Sequence, residues 1–242
     1  MKTTLDSWSF STMINFQSCK YQVKLDKLDK LTRPPLVIPK GKEEHPMSRG
    51  LRVHNAAERY VQGDPIELIP ELHKFSDELI KLRQLYGRDD IQVEVEGDWA
   101  FTKDWIPTGW MSKDTWLRMK CDVAIFNQDN EALIIDYKTG KIWGNEVKFM
   151  MQAQLYQLGT FMRYPELNTV YAEWWMLDLG EIKKYVFTRP KGLMQLAPYE
   201  HRGLCITTEE RFPPNPNNIS CKYCPWRSEE NGGTGDCKHA MV

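Results

Sequence analysis

An aspartate and a lysine two residues apart follow an apolar segment near the middle of this sequence. Residues 133–135 lead directly into Asp136, Tyr137 and Lys138. Side chains alternate between the two faces of a strand, so Asp136 and Lys138 are predicted to share one face and Tyr137 to occupy the other. A carboxylate beside an ammonium group suits a metal site next to a cation that activates water. Alone, the motif is a weak indication, because strands commonly end in soluble residues.

A second carboxylate is predicted to join this site. Asp122 precedes the apolar run 123–126 and lies 14 residues before Asp136. Two carboxylates at bonding distance repel each other unless a cation lies between them. Phosphodiester hydrolysis needs an oxygen-ligated cation, a deprotonated water and positive charge near the developing phosphorane. We therefore predict Asp122, Asp136 and the Tyr137 carbonyl as metal ligands and Lys138 as the water-orienting group; ordinary strand-end solvation and a surface ion pair are the alternatives.

Two predicted helices add a histidine, a glutamine and a tyrosine. Gln152 and Tyr156 share one helix face because they are four residues apart. His54 follows Gly50 by four residues on an earlier short helix. With the order Gly-x-x-x-His, Asp, Asp-x-Lys and Gln-x-x-x-Tyr, the chain resembles the RecB-type exonucleases of the PD-(D/E)xK nuclease superfamily. The resemblance covers residues 9–237.

The resemblance implies roles for these side chains and a requirement for Mg²⁺ or Mn²⁺. His54 is then an additional metal ligand, although a lone helical histidine is more often a surface or core residue. Gln152 and Tyr156 contact a substrate phosphate or brace the lysine, although Tyr156 is equally compatible with the core. Glu94 and Glu96 occupy a strand where the family often has an acidic residue. The sequence does not distinguish between the two.

Four cysteines provide an independent line of reasoning. Cys221 and Cys224 form a Cys-x-x-Cys pair, Cys237 follows, and Cys19 lies far upstream. In a reducing compartment such a pair is more often a metal or redox site than a disulfide. With the Ser-x-Ser pair at 9–11, this arrangement resembles the iron–sulfur subset of these nucleases, similar to CRISPR-adaptation and AddB-type nucleases. The resemblance implies a four-iron four-sulfur cluster that joins the two ends of the chain.

Two departures from the pattern leave zinc as the alternative. Lys20 stands where the subset usually has proline, and the gap from Cys224 to Cys237 is long. A local zinc knuckle has an acceptable ligand spacing and leaves Cys19 as a buried thiol. Its ligands are Cys221, Cys224, Cys237 and His239. We expect Cys121 and Cys205 to be buried or incidental thiols.

Composition limits the function classes. The formal charge of −1 argues against an avid, sequence-indifferent nucleic-acid coat. No apolar run is long enough to span a membrane, and the segment from Met1 lacks the apolar core of a signal peptide, so we expect a cytoplasmic protein without membrane contact. One basic series with helical spacing is either a phosphate track or a solvated face, since Asp26 and Asp29 interleave. It consists of Lys20, Lys24, Lys27, Lys30 and Arg33.

The patterns predict one α/β nuclease domain over residues 1–242. Residues 1–90 are expected to be helical, with Ser11 capping the first helix and later helices near 48–62 and 70–86. Residues 91–212 form the catalytic core, and 213–242 form a cysteine-bearing, metal-cluster tail. Within the core, strict alternation over 91–96 places both glutamates on one face, and a turn is expected at 97–98. The resemblance implies a restriction-endonuclease-like αβββαβ core with a central mixed sheet.

The predicted function is metal-dependent hydrolysis of DNA by an exonuclease. The resemblance implies action on free or single-stranded ends during recombination, repair or replication of a phage or bacterial genome. One alternative is a nucleic-acid-binding module without turnover; the combination of Asp122, Asp136 and Lys138 argues against it, because binding alone has no chemical need for the lysine. Another is a nuclease subunit of a CRISPR-adaptation type complex.

Overall fold

The computed structural model describes residues 3–140 and 144–241. The outermost residues of the predicted domain, Met1, Lys2 and Val242, lie outside the described residues, as do 141–143. A seven-stranded sheet forms the centre of the fold, in the order β3-β2-β4-β5-β6-β7 with β1 paired to β4. The strands are β1 (Trp8–Ser9), β2 (Gln92–Phe101), β3 (Pro107–Thr108), β4 (Leu117–Phe126), β5 (Glu131–Lys138), β6 (Thr169–Met176) and β7 (Glu181–Thr188).

Helices cover both faces of this sheet. Eight α-helices are described, together with a π-helix at Lys24–Leu28 and 3₁₀ helices at Pro70–Phe75 and Glu229–Asn231. The α-helices are α1 (Phe10–Ser18), α2 (Lys20–Val23), α3 (Pro46–Val61), α4 (Ser76–Leu85), α5 (Glu146–Arg163), α6 (Arg189–Leu193), α7 (Leu196–Thr207) and α8 (Asn218–Lys222). In the described part of the chain, none is both long and apolar enough to cross a membrane.

The strand directions confirm the predicted α/β class and mixed sheet. The pairs β2–β4, β4–β5 and β6–β7 are antiparallel, whereas β6 runs parallel to β5 and β1 runs parallel to β4. A parallel pair needs a long crossover, which α5 supplies across one face of the sheet. The succession α4, β2, β4, β5, α5, β6 is therefore the αβββαβ arrangement, in which the short β3 is an insertion.

Three local predictions were wrong. The cap of α1 is Ser9, whose Oγ accepts a hydrogen bond from the Thr12 amide at 3.3 Å, and Ser11 lies inside the first turn. The helix predicted over 70–86 is divided at Ser76, because a proline-initiated 3₁₀ segment precedes α4. No turn occurs at 97–98, since β2 continues through both residues.

The core consists of two apolar layers, one on each face of the sheet. The α5 layer contains α5, α1 and α7, and the α3 layer contains α3 and α4. Val95 and its partner Val123 pack in the α3 layer, whereas Trp99 and its partner Met119 pack in the α5 layer, although all four have odd numbers. Strict alternation along a strand would keep all of its odd-numbered side chains on one face of the sheet. The two strands therefore exchange faces between these pairs, where Glu96 has a φ of +54°.

Candidate active site

The two predicted carboxylates are brought side by side by strand register. Val123 of β4 pairs with Ile135 of β5, so the next position outward on these antiparallel strands sets Asp122 opposite Asp136. Both side chains are buried, with relative exposures of 9% and 5%. The Tyr137 amide donates a hydrogen bond to Asp122 Oδ2 at 2.5 Å. The expected juxtaposition of the two aspartates is thus present at the end of the β4–β5 pair.

Histidine reaches this pair from the α3 layer. His54 Nδ1 lies 3.0 Å from Asp122 Oδ1, within hydrogen-bond distance. The imidazole also lies against the Tyr137 ring, with centroids 5.8 Å apart. His54 is therefore part of the site, whereas the Tyr137 side chain is a buried part of the α3 layer. The role of the Tyr137 carbonyl stays a prediction.

Glu96 is the acidic strand residue that faces this site. One ligand atom each from His54, Glu96 and Asp122 all lie within 4.8 Å of one another. Glu94 points elsewhere: its carboxylate accepts hydrogen bonds from Trp99 Nε1, at 2.7 Å, and from the Tyr164 hydroxyl. The prediction that both glutamates share a face was wrong, because the left-handed backbone at Glu96 interrupts the alternation.

A polar network from α5 holds the lysine and the second aspartate. Lys138 forms an ion pair with Asp136 and donates a hydrogen bond to Gln152 Oε1 at 2.9 Å. Gln152 Nε2 donates to Asp136 Oδ1 at 3.0 Å and to the Tyr156 hydroxyl at 2.9 Å. Tyr156 in turn donates to the Lys120 carbonyl at 2.6 Å. The Gln152 amide is thus oriented by opposite charges, with its oxygen on the ammonium and its nitrogen on the carboxylate.

The pKa shifts indicate a site with an excess of negative charge. Burial raises the pKa of Asp136; the charge of Lys138 lowers it, and Asp122 raises it further. Burial also raises the pKa of Glu96; the ion pair with Lys120 opposes this effect, and the charge of Asp122 adds to it. Burial lowers the pKa of His54, but the hydrogen bond and charge of Asp122 outweigh burial, so the net shift is upward. Oxygen and imidazole donors with this charge suit a divalent cation.

A contact between α3 and the end of β5 positions His54 relative to Lys138. A Cβ added to Gly50 would lie 3.3 Å from Thr139 Oγ1, so glycine one turn before the histidine permits the close approach. Arg49 donates two hydrogen bonds to Asp178, at 2.7 and 3.0 Å, and Asp178 Oδ2 accepts from the Gly140 amide at 2.9 Å. Sequence reasoning missed this tie, since its partners lie on three separate elements.

The four predicted cluster cysteines line one small cavity away from this site. Cys19 lies between α1 and α2, and Cys221, Cys224 and Cys237 belong to the tail. Burial raises the pKa of the Cys224 thiol, and the other three thiols raise it further. His239 also lines the cavity. The two segments are joined by a 2.8 Å hydrogen bond between the side chains of Ser18 and Ser220.

The remaining cysteines lie outside this cavity. Cys121 is buried within the α5 layer, and burial raises its pKa well above the ordinary value. Cys205 is exposed, with Sγ 3.5 Å from His201 Nε2. Neither thiol joins the other four, as expected for incidental cysteines.

The fold and the site together define an α/β protein with carboxylates on β2, β4 and β5, a histidine from α3 and a lysine beside them. A profile of the PD-(D/E)XK nuclease superfamily matches residues 7–228. This chain belongs to the PD-(D/E)XK nuclease superfamily, whose members are typically metal-dependent nucleases.

The comparison with solved structures includes one described as "Crystal structure of SSO0001". Its similarity to this chain is 12% sequence identity with a TM-score of 0.44, covering 100% of this chain and 90% of that one. No curated protein matches the sequence.

Proposed function

We propose that this protein is a divalent-metal-dependent DNA exonuclease that acts on free or single-stranded ends in recombination, repair or replication. The observation that carries the proposal is the pairing of Lys138 with Asp136 directly beside Asp122. A module that only binds nucleic acid has no need to bury a lysine–carboxylate ion pair next to a second carboxylate, because burial of these charges costs desolvation energy. Membership of the nuclease superfamily supports the same conclusion.

The donor set of His54, Glu96 and Asp122 suits one divalent cation, because one ligand atom of each lies within 4.8 Å of the others. Asp136 and the Tyr137 carbonyl would complete the ligand set in this proposal. Bound Mg²⁺ or Mn²⁺ supplies Lewis acidity and lowers the pKa of a coordinated water. The contribution of Gln152 is to keep Lys138 extended toward the carboxylates, since its amide oxygen accepts from the ammonium.

Lys138 is the group that faces the reacting phosphate in this proposal. Its ammonium orients the attacking water and balances negative charge that develops on the phosphorane. The cation–π contacts with Phe149 and Trp174, at 5.7 and 5.8 Å from the ring centroids, restrict the side chain on its apolar flanks. Only the side toward Asp136 and Gln152 offers polar partners among the described residues.

Gel analysis of end-labelled DNA tests this function. We expect release of short products from linear single strands with Mg²⁺ or Mn²⁺, none with EDTA, and none from Asp122→Ala protein. A circular single strand of the same sequence separates exonuclease from endonuclease activity, because it has no end. Binding of linear DNA without any cleavage in either metal would contradict the proposal and favour the binding module.

We further propose that the four-cysteine cavity holds a four-iron four-sulfur cluster. A tetrahedral zinc site with bonds of about 2.3 Å requires sulfurs only about 3.8 Å apart. Among the described residues, no three cysteine or histidine ligand atoms of this cavity lie within 4.8 Å of one another. The wider spacing suits a polynuclear cluster, and the participation of Cys19 suits a tie between distant segments.

Protein purified without oxygen tests the cluster. We expect a brown protein with iron and acid-labile sulfide in about equal amounts, and Cys19→Ser should bleach it. A colourless protein with one zinc per chain, sensitive to His239→Ala and indifferent to Cys19→Ser, would establish the zinc knuckle instead. We also propose a cytoplasmic location, where a reducing environment keeps the thiols of a Cys-x-x-Cys pair available to a metal.

A further inference from the structure

Two adjoining clefts extend from the catalytic network past β1 and the first residues of β4. The first, of about 400 Å³, begins at Gln152 and Tyr156 and is lined further out by Trp110 and Arg118. The second, of about 520 Å³, shares Ser7, Lys27 and Arg118 with the first. Both volumes are in the range of ligand-binding pockets. A groove therefore leads away from the site of chemistry, and we call the two clefts together the β4 groove.

The β4 groove is basic, although the chain as a whole has a formal charge of −1. Arg118 forms no ion pair with any carboxylate in the described ranges; its Nε and Nη1 donate to the Trp110 carbonyl at 3.0 Å and to Ser7 Oγ at 2.5 Å. The first cleft has no acidic residue in its described lining, and the second has one, Asp6. The cations that line the groove are Lys27, Lys30, Lys113, Arg118 and Lys120.

The basic series of the N-terminal region contributes only partly to this groove. Lys20 pairs with Glu209, and Lys24 pairs with Asp29. The α-helix changes to a π-helix at Lys24–Leu28, and Lys30 and Arg33 lie beyond its end, so the series does not form one continuous helical face. Lys27 and Lys30 are the members that line the groove. Lys27 lies 3.4 Å from Asp26, and Lys120 pairs with Glu96, so part of the positive charge of the groove is balanced by carboxylates outside its lining.

An aromatic side chain, Trp110, lies next to Arg118 in the groove. Trp110 is half-buried in the wall of the first cleft, and the Arg118 guanidinium lies 5.7 Å from its ring centroid. Aromatic rings and arginine planes bind unpaired bases by stacking, while the bases of a duplex are already stacked on each other. An indole among cations is therefore suited to a single strand.

We propose that the β4 groove binds the single-stranded DNA segment adjacent to the scissile phosphodiester, with Arg118 and Lys27 on phosphates and Trp110 against a base. This proposal rests on the nuclease function proposed above. The proposal assigns the groove to substrate binding. It predicts that Arg118, Lys27 and Trp110 increase the affinity for longer strands. Phosphate contacts by the two cations predict a salt dependence, and the indole predicts a preference for unpaired DNA.

Fluorescence anisotropy with labelled oligothymidylates, from the dinucleotide to about 12 nucleotides, measures this binding. Ca²⁺ in place of Mg²⁺ makes the measurement independent of turnover. The variants are Arg118→Gln, Lys27→Gln and Trp110→Leu. The matched control is Arg59→Gln, because Arg59 is exposed on α3 and pairs only with Asp64 among the described residues.

Arg118→Gln should weaken binding of the longest oligomer about tenfold and reduce the log–log salt slope by about 0.7, the value for one phosphate contact on a single strand. Dinucleotide binding should change less than about twofold, because a dinucleotide does not extend into the groove. Trp110→Leu should weaken single-strand binding and leave a blunt hairpin duplex unaffected. Lys27 is half exposed, so Lys27→Gln tests the same groove even if Arg118→Gln fails to fold.

Unchanged affinity and salt slope for both Arg118→Gln and Lys27→Gln would overturn the proposal even if the wild type cleaves DNA. If Trp110→Leu weakened the affinity for single strands and for the blunt duplex equally, the assignment of the groove to an unpaired strand would be overturned. A wild type that binds with the predicted dependence on these residues but never cleaves would refute the nuclease function and leave the groove assignment standing.

Discussion

Replacement of Lys138 by methionine provides the sharpest test of the catalytic site. Methionine keeps most of the unbranched side chain, ending one atom short of Nζ, and removes the charge that lies over the rings of Phe149 and Trp174. A unit charge about 4 Å from the developing phosphorane charge is worth about 4 kcal/mol at an effective dielectric constant of about 20. The Lys138 side chain is 20% exposed, so solvent screens part of this interaction. We therefore expect cleavage to slow by about 10² to 10³.

Single-turnover cleavage of end-labelled single-stranded DNA measures the effect, because it separates the chemical step from product release. Metal binding, followed through the Mn²⁺ signal in electron paramagnetic resonance, should persist in Lys138→Met. Lys138→Arg is the matched control for charge; it should recover only part of the rate, since a planar guanidinium does not reproduce the position of the ammonium. A Lys138→Met protein that binds metal and cleaves within about threefold of wild type would refute the mechanism.

Three further outcomes are expected. Glu96→Gln should weaken Mn²⁺ binding about tenfold or more, and Glu94→Gln should leave it unchanged, as measured by titration; equal effects would remove Glu96 from the ligand set. Gly203→Ala should lower the free energy of unfolding by about 1–3 kcal/mol, because its Cβ overlaps two indole rings, whereas Gly109→Ala adds a methyl group in open space and should be neutral in urea denaturation. The hydrogen bond with Arg49 lowers the pKa of Asp178 from 3.8, so the ionised carboxylate stabilises the fold above pH 3.8 and this contribution is lost as the pH falls through the folded-state pKa. Asp178→Asn should therefore have a lower free energy of unfolding than wild type at neutral pH. The difference in free energy should shrink below the lowered pKa.

Much of the candidate site follows from periodicities in the sequence. The two-residue spacing of Asp136 and Lys138 puts both on the α5 side of β5, where Gln152 contacts them from one helix face. The four-residue spacing of Gln152 and Tyr156 likewise produces a direct hydrogen bond. These features depend on the geometry of a single element or of neighbouring elements. Local patterns are sufficient to predict them.

Other parts of the site depend on backbone conformations and long-range contacts that carry little local signal. The φ of +54° at Glu96 separates it from Glu94, and only the adjacent Gly97 hints that the alternation ends there. Packing around Gly97 is tight, since an added Cβ would lie 3.1 Å from both Cys121 Sγ and Trp99 Nε1. Arg49 and Asp178 are 129 residues apart, so their contact cannot be derived from spacing within one element.

The contact between Ser18 and Ser220 also has a consequence for the order of folding. The two residues are 202 positions apart, and Asn215 adds a hydrogen bond to the Ser18 carbonyl at 2.9 Å. At translation rates of about 5–20 residues per second, roughly 10–40 s separate the synthesis of the two partners. Closing so long a loop is slow unless the intervening sheet has already brought its ends together. The segment around Cys19 is therefore expected to acquire its final partners last, after the catalytic sheet has formed.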